Sequence, residues 1–393
     1  MKKATKIFII LSIVFISFNL RAPITAVGSI IDLIKNEYNL SSGMAGFITT
    51  LPLIAFAVVS PFVSQISSKL GYGLTMLSGL VFMIVGEIIR SYTNSFGLFA
   101  GTTLIGIGIA IGNVLIPSII KLRFSKNVGI VTSIYTTSMC IFAAVGSGVS
   151  VPLAVGLDFG WRNALAVWTV LTLITVFIWF PQLKKSKGSM SKETMIKDSK
   201  GKSIWKSPLA WWVTLFMGTQ SLLFYCLVAW LPSIITSKGM SAEFSGMMAL
   251  LFQLVGLPAT LLMPIIADRF KDQKVITTIS SLIYLVGMSL LLVSDSKISI
   301  IVSLIFVGLG MGGSISISIA FISLRSPNAK KAAELSGMSQ SAGYLLAATG
   351  PLLIGFIFDR TLSFTVPIIL LIVCIILLIC FGLKASKNEV VEI

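Results

Sequence analysis

Long apolar runs alternate with short polar connections along the whole chain, and these runs set its organisation. An α-helix needs about 20 apolar residues to cross the hydrocarbon core of a bilayer. Twelve runs have about that length, six before and six after a polar segment rich in lysine and serine. They lie near residues 7–31, 44–68, 72–92, 96–121, 128–153, 163–181, 208–236, 243–267, 275–294, 298–322, 332–357 and 364–383. The pattern predicts an all-α polytopic membrane protein with twelve transmembrane helices.

The polar segment separates two sets of six runs. We predict an N-terminal six-helix bundle at residues 1–181, a basic cytoplasmic linker at 182–207 and a C-terminal six-helix bundle with a short tail at 208–393. The halves repeat each other at an offset of about 200 residues. The matched pairs are Gly108 with Gly308, Gly112 with Gly312, Ser68 with Asp268 and Lys69 with Arg269. Parallel repeats place a substrate site at the repeat interface, near the bilayer midplane.

Lysine and arginine are distributed unequally between the two ends of the spans. An even number of spans puts both termini and the linker on one side, and that side collects 23 of the 30 basic residues. Arg21 lies inside the membrane, and the remaining six fall on the opposite side. Those six are Lys35, Arg90, Arg162, Lys238, Lys297 and Arg360. Because cytoplasmic connections are enriched in lysine and arginine, we predict a multi-pass protein of the cell membrane with both termini in the cytoplasm.

The composition narrows the possible functions. The chain has 393 residues, of which 55% are hydrophobic and 11% charged, and its net charge is +16. The basic residues are confined to the connections, which indicates membrane orientation and predicts no nucleic-acid partner. The absence of histidine excludes His-based metal sites and nucleophile–histidine pairs. We therefore predict no enzyme activity, no metal and no cofactor, and a monomer whose partners are a small-molecule substrate and the lipid bilayer.

Arg21 is a permanent charge within the first apolar run. It lies about 21 Å of helix beyond Ile7, too deep to reach either membrane surface easily. Pro23 lacks a backbone N–H, which predicts a kink beside the charge. The guanidinium fork suits a carboxylate-like group, so we predict that Arg21 binds an anionic or strongly dipolar substrate. The alternative is a structural arginine satisfied by Asn19 and neighbouring carbonyl groups.

Acidic residues near the depth of Arg21 would change this interpretation. Glu87 and Arg90 are expected toward the outer end of the third span, where they face each other at i,i+3 spacing. We therefore expect no carboxylate at the depth of Arg21, and an exogenous anion or water as its partner.

Four further polar side chains on apolar spans are candidate substrate contacts, together with Asn19 beside the arginine. They are Asn113, Gln220, Gln340 and Tyr344. Gln340 and Tyr344 are four residues apart and share one helix face. For both of these, a hydrogen bond to the neighbouring helix is the alternative.

A charged turn joins the eighth and ninth spans. Asp268 and Arg269 are predicted to form a cytoplasmic latch that opens and closes during transport, with Lys69 in the equivalent turn of the first half. Ser68 stands where the second half has Asp268, so the latch is predicted to be asymmetric. A solvated turn is the alternative.

The spans, the linker and the charged turn together resemble the major facilitator superfamily. Four motifs resemble its cyanate-permease and 2-nitroimidazole-transporter family, and the resemblance covers essentially the whole chain. The motifs are Asn19 to Thr25, Gly112 to Pro117 with Lys121, Gly160 to Arg162, and Gln340 to Tyr344 with Gly350 and Pro351. The resemblance implies rocker-switch alternating access, with spans 1, 4, 7 and 10 lining a cavity. It would place Asn19, Arg21, Asn113 and Gln220 there.

The leading hypothesis is a secondary active or facilitative transporter of a small anionic or polar nitrogen-containing compound held by Arg21. A multidrug or toxic-compound exporter of the same fold is the alternative, although a cationic anchor does not suit cationic drugs. A membrane-embedded enzyme would need a catalytic dyad or a metal set. Only Glu87 is a titratable candidate within the spans, so we predict facilitated or exchange transport, or proton coupling through the substrate itself.

Overall fold

A computed structural model describes residues 3–40, 42–193, 203–293 and 295–391, and these residues are helical almost throughout. The helices are α1 (Lys3–Asn19), α2 (Ala22–Ser29), α3 (Ile31–Tyr38), α4 (Ser42–Tyr92), α5 (Ser95–Arg123), α6 (Val128–Val151), α7 (Gly160–Glu193), α8 (Pro208–Ser237), α9 (Ala242–Arg269), α10 (Lys274–Val293), α11 (Lys297–Leu324), α12 (Ala329–Thr361) and α13 (Thr365–Ala385). A π-helical turn at Pro152–Gly156 extends α6, and a 3₁₀ turn at Ile204–Lys206 precedes α8. The described ranges contain no β-strand.

Eleven helices in the described part of the chain are long and apolar enough to cross a membrane. One of them, Phe47–Tyr92, has 46 residues and is too long for a single crossing. Its backbone leaves the helical conformation at Gly71, where φ is +85° and ψ is 153°. Gly71 separates the second and third predicted spans, so this one element accounts for both. The predicted all-α architecture of twelve spans is confirmed.

The first span is interrupted where the sequence predicts a kink. Helix α1 ends at Asn19 and α2 begins at Ala22, with Arg21 at φ −127° and ψ −43° between them. Pro23 lies in the first turn of α2, where its missing N–H costs no helical hydrogen bond. The Arg21 carbonyl accepts from the N–H groups of Ile24 and Thr25, both at 3.0 Å. The backbone of Arg21 therefore starts α2, and the predicted kink is confirmed.

The polar segment between the halves is helical where it begins. Helix α7 continues to Glu193 and so extends past residue 182, where the sequence predicts the linker to begin. Residues 194–202 lie outside the described residues, as do the side chains of the linker lysines from Lys184 to Lys202. The Ser207 side chain accepts from the N–H of Ala210 at 3.4 Å and caps α8, which fixes the start of the second half.

The described residues divide into two compact units. Unit 1 comprises the chain up to Ile119 and from Ser138 to the end of α7. Unit 2 comprises Ile120–Thr137 and the chain from Ser203 onward. The end of α5 and the start of α6 thus group with the helices of the second half. The predicted bundles at 1–181 and 208–393 stay a prediction about domain organisation.

Close helix packing at glycine gives the two units a common internal plan. In unit 1, a Cβ at Gly106 would lie 2.8 Å from Ala55, and one at Gly108 would lie 2.4 Å from Met83. In unit 2, a Cβ at Gly308 would lie 2.5 Å from the Phe252 carbonyl, and one at Gly310 would lie 2.4 Å from Tyr284. Each pair meets corresponding elements, so Gly106 matches Gly308 and Gly108 matches Gly310. The offset of these glycines, 202 residues, agrees with the predicted offset of about 200. The individual partners differ from the predicted ones, because Gly308 corresponds to Gly106 and not to Gly108.

Gly312→Ala should destabilise unit 2 by about 1–3 kcal/mol, because the inserted methyl overpacks a tight helix contact. Its Cβ would lie 2.2 Å from the Gly256 carbonyl oxygen, a rigid backbone atom. Thermal unfolding of the detergent-solubilised protein measures the effect. Gly148→Ala is the matched control, because nothing lies within 4 Å of the added Cβ. Equal unfolding temperatures for both variants would contradict the packing argument.

Candidate functional site

Arg21 lies partly exposed at the break between α1 and α2, and the residues around the break pack against α5 and α6. A Cβ at Gly112 of α5 would lie 2.6 Å from Leu20, and one at Gly146 of α6 would lie 2.8 Å from the Ala22 carbonyl oxygen. The Phe18 ring stacks on Phe142 of α6 with centroids 3.6 Å apart. Asn113, buried on α5, follows Gly112 directly. Asn113 is thus the sequence neighbour of a residue that packs against the break.

Asn19 forms the last turn of α1 and is fully buried. Its amide nitrogen donates to the Phe15 carbonyl and to the Thr175 hydroxyl, both at 2.7 Å. Its amide oxygen accepts from the Thr172 hydroxyl at 2.7 Å. Three hydrogen bonds therefore hold Asn19 to its own helix and to α7. Its predicted contact with substrate remains a prediction, and its observed contacts fix one flank of the break.

Arg90 holds the other flank. Its Nη1 donates to the Pro23 carbonyl at 2.7 Å, 67 residues away in the chain. Glu87, one helical turn earlier on α4, accepts from the Thr172 hydroxyl at 3.1 and 3.2 Å. Arg90 and Glu87 are 1% and 0% exposed and interact electrostatically. The two side chains are therefore buried where α2, α4 and α7 meet, with Arg90 bonded to α2 and Glu87 to α7.

The expected position of Glu87 is wrong in one respect. The sequence predicts Glu87 toward the outer end of its span, away from the depth of Arg21. Thr172 donates to both Glu87 and Asn19, so the carboxylate lies in the same layer as the end of α1. Span length alone could not show this, because it does not reveal which helices pack together around the end of α1. A carboxylate of the chain itself thus belongs to the surroundings of the break.

Sequence reasoning missed the two threonines that connect these elements. Thr172 and Thr175 lie on α7, where hydroxyl side chains recur every third residue from Thr169 in an otherwise apolar run. This spacing puts them near one helix face. The sequence does contain a signal for this network. It is a row of hydroxyl side chains on one apolar span together with a glutamate and an arginine in another span.

The predicted polar residues of the second half lie on α8 and α12 of unit 2. These helices pack closely, because a Cβ at Gly218 would lie 2.9 Å from the Cα of Gly343. Gln220 and Gln340 are buried, and neither side-chain oxygen has a hydrogen-bond donor among the described residues. The Gln220 nitrogen donates to its neighbour Ser221 at 2.9 Å. Both amide carbonyls are therefore acceptors whose hydrogen bonds are not made within the described chain.

Tyr344 lies one turn beyond Gln340 on α12 and is buried. Its ring meets that of Tyr225 on α8 edge to face, with centroids 6.2 Å apart. Unit 2 thus brings Tyr344 to the α8–α12 pair that also carries both glutamines.

Asp268 lies at the end of α9 and contacts the start of α6. Its carboxylate accepts from the Gly129 N–H at 3.0 Å, within the first turn of α6, where the helix dipole favours a negative charge. Lys121, near the end of α5, interacts electrostatically with the same carboxylate. Arg269 and Lys69 are exposed. The structure therefore gives Asp268 two defined partners in unit 2, and the latch stays a prediction for all three residues.

A clamp of polar and aromatic groups closes one end of unit 1. Glu37 of α3 accepts from Arg162 Nη2 at 2.5 Å and from the Trp161 indole. The guanidinium also stacks on the Trp161 ring, 4.6 Å from its centroid, and donates to the Tyr38 hydroxyl at 3.1 Å. The Trp161 hydrogen bond, and then that of Arg162, hold the pKa of Glu37 below its ordinary value of 4.5, against the opposing effect of burial. The clamp fixes α3 to the start of α7.

Glu37→Gln should lower the stability of unit 1 near neutral pH by about 0.2–1 kcal/mol, the range for exposed ion pairs. The native pKa of Glu37 lies below its unfolded value, so its contribution is present above about pH 4.5 and is lost as the pH falls through the native value. The difference in unfolding temperature between wild type and variant should therefore shrink on acidification. Glu389→Gln, at an exposed glutamate 3.9 Å from Lys387, is the control. A difference independent of pH would contradict this role for the carboxylate.

These features define a polytopic membrane protein whose two internally repeated units each carry a buried polar cluster. The chain matches the Major Facilitator Superfamily over residues 7–351 and belongs to it. It is a multi-pass membrane transporter and not an enzyme.

Individual relatives agree with this assignment. The chain is 46% identical to an uncharacterized transporter, YycB, of Bacillus subtilis (strain 168), over 99% of this chain and 96% of that protein. It is 37% identical to a 2-nitroimidazole transporter of Escherichia coli (strain K12), over 98% and 96% of the two chains. Identity to the cyanate transport protein CynX of the same organism is 24%, over 87% and 88%. The predicted resemblance is confirmed.

Solved structures show the same fold. The proton:xylose symporter XylE superposes with a TM-score of 0.83 at 15% identity, covering 100% of this chain and 98% of that one. FucP in an outward conformation gives 0.73 at 12% identity, with 97% and 98% covered.

Proposed function

We propose that this protein transports a small anionic or polar nitrogen-containing compound, and that Arg21 binds the substrate. The observation that carries this proposal is the position of Arg21, partly exposed in a break of the first span. A guanidinium remains charged at any working pH and offers paired donors to a planar anionic group. The relatives named for 2-nitroimidazole and cyanate transport small nitrogen compounds, and they favour the same substrate class.

Gln220 and Gln340 support a substrate that also carries N–H groups. A buried carbonyl oxygen without a donor costs free energy, which a ligand N–H would recover. Neither amide oxygen has a donor among the described residues. The Tyr225 and Tyr344 rings beside them favour a planar compound. These contacts predict discrimination against substrates that cannot donate a hydrogen bond.

The repeated architecture and the family resemblance support transport by rocker-switch alternating access. In this proposal the termini lie in the cytoplasm and the protein works as a monomer. We propose facilitated or exchange transport, or proton coupling through the substrate itself. Uptake into proteoliposomes with and without an imposed pH gradient distinguishes these modes.

Asp268→Asn should slow transport severalfold while leaving ligand affinity close to that of wild type. The substitution removes the charge that the α6 N-terminus and Lys121 stabilise, and such dipole contacts are worth about 0.3–1 kcal/mol. Uptake rates and ligand-induced thermal shifts measure the two quantities separately. Asp359→Asn, on an exposed acid at the end of α12, is the control. A loss of affinity without a change in rate would contradict a gating role.

Ligand-induced thermal stabilisation of the purified protein tests the proposed substrate class. The probes are 2-nitroimidazole, cyanate, nitrite and benzoate, with xylose as an uncharged control and tetraphenylphosphonium as a lipophilic cation. A bound probe at 100 times its dissociation constant stabilises the folded state by about 2.7 kcal/mol. Stabilisation by nitrogen-containing or anionic probes, followed by their uptake into proteoliposomes, supports the proposal. A response confined to lipophilic cations would instead favour the exporter.

A further inference from the structure

We propose that Arg90 and Glu87 are positioning residues that hold the helix break in the geometry with which Arg21 binds substrate. The inference rests on the proposed role of Arg21. It concerns residues that do not themselves contact substrate in this account. Three contacts carry it: Asn19 to α7, Pro23 to Arg90, and Thr172 to both Glu87 and Asn19.

The break is tied down on both sides of Arg21. Two residues before it, Asn19 is fixed to Thr172 and Thr175 at 2.7 Å each. Two residues after it, the Pro23 carbonyl is fixed to Arg90 at 2.7 Å. Both sets of partners lie on helices other than α1 and α2. The orientation of the intervening chain is therefore set by α4 and α7, rather than by the local sequence of the first span.

Thr172 couples the two sides. Its single hydroxyl proton is shared among three acceptors: Asn19 at 2.7 Å, the Glu87 carboxylate at 3.1 Å and the Trp168 carbonyl of its own helix at 3.2 Å. Glu87 in turn offsets the charge of Arg90 one turn away on the same helix. A substitution at any of these groups is therefore expected to alter the hydrogen bonds on both sides of the break.

The hydrogen bonding of Arg90 argues against a purely stabilising role. Its guanidinium is 1% exposed, and neither Nε nor Nη2 has a hydrogen-bond partner among the described residues. Among the described residues, only Nη1 of this guanidinium has a hydrogen bond, which it donates to the Pro23 carbonyl. A buried ion pair left incompletely hydrogen-bonded contributes little to stability and is often replaceable by apolar residues. We therefore interpret Arg90 as a residue kept for function, because its one hydrogen bond orients the Pro23 carbonyl beside Arg21.

The double variant Glu87→Gln/Arg90→Met tests the proposal, because it removes the charges together and nearly keeps their volumes. We expect an unfolding temperature close to wild type and a KM for 2-nitroimidazole raised about tenfold or more, as misplacement of a binding group predicts. The maximal rate should change much less than KM. Cyanate replaces 2-nitroimidazole as the probe if only cyanate binds the wild-type protein.

The Arg21→Lys background separates positioning from general damage. A flexible ammonium does not depend on a fixed fork, so the double substitution should have little further effect on KM there. An equal fold-change in both backgrounds would show an independent structural effect and overturn the proposal. Thr102→Val is the control, since that buried hydroxyl bonds Leu98 within its own helix at 2.6 Å.

The outcomes distinguish this inference from the proposed function. If Arg21→Ala abolishes binding but the double variant keeps the wild-type KM, positioning is overturned and the substrate-binding role of Arg21 stands. If Arg21→Ala binds the probe normally, the proposed function fails, and this inference fails with it. Should the double variant not fold, Thr172→Val replaces it, with a raised KM expected and an unchanged KM overturning the proposal.

Discussion

Arg21→Ala should abolish measurable binding and uptake of 2-nitroimidazole while the protein remains folded in detergent. Removing a charge-assisted, paired hydrogen bond from a site shielded from water costs about 2–5 kcal/mol, or roughly 30- to 5000-fold in affinity. Arg21 lies in the break and is partly exposed, and α2 is started by its backbone carbonyl, which the substitution keeps. Ligand-induced thermal shifts and proteoliposome uptake measure the loss.

Arg21→Lys should bind measurably but clearly more weakly than wild type, because a point charge does not reproduce a planar fork. The matched control is Arg360→Ala, which removes an exposed arginine that contacts Phe356 through its guanidinium. Its binding should equal that of wild type. Normal uptake by Arg21→Ala would exclude this residue as the substrate anchor, and near-complete rescue by lysine would exclude the fork as the basis of recognition.

Arg90→Met alone should destabilise unit 1 by about 1–3 kcal/mol, because it leaves buried polar groups, Glu87 and the Pro23 carbonyl, without a partner. The uncompensated group is the Glu87 carboxylate, which is 0% exposed and would keep only the neutral Thr172 hydroxyl of the contacts described above. Adding Glu87→Gln removes that charge and should restore most of the lost stability. Thermal unfolding in detergent of the single and double variants measures the effect.

A double-mutant cycle over these two positions gives their coupling free energy. Arg162→Met serves as the comparison, because that arginine is partly exposed and its partner Glu37 can remain solvated. Its loss should cost far less than that of Arg90. Additive effects of Glu87→Gln and Arg90→Met would show that the two charges do not form an interacting pair.

The arrangement of spans could be predicted because hydrophobic length is a local property of the sequence. Twelve apolar runs predict the helices, and Pro23 predicts the break beside Arg21, since a missing N–H acts on its own helix. A break between residues 68 and 72 was part of that prediction, although Gly71 was not singled out as its position. Residue types show where a span ends, but the φ of +85° that redirects the chain there belongs to the folded backbone.

The network around the break could not be predicted from the same local signals. Thr172 lies 153 residues from Asn19, and Arg90 lies 67 residues from Pro23. Such contacts depend on which helix faces pack together, and a single sequence does not determine this pairing. The glycine repeat shows the same limit. Sequence spacing matched Gly108 with Gly308, whereas packing neighbours match Gly106 with Gly308.

The duplicated architecture has diverged at its most important position. Gly146 of unit 1 packs on Ala22 and Thr25, and Gly350 of unit 2 packs on Leu222 and Cys226, which identifies corresponding places in the two halves. The stretch of α8 that matches Arg21 is therefore Ser221–Leu223, and it carries no charge. Of the two matched stretches, only the one in unit 1 carries a cation. Anion recognition by Arg21, as proposed, would therefore be a property of one copy of the duplication, so the fold and the binding charge need not share an origin.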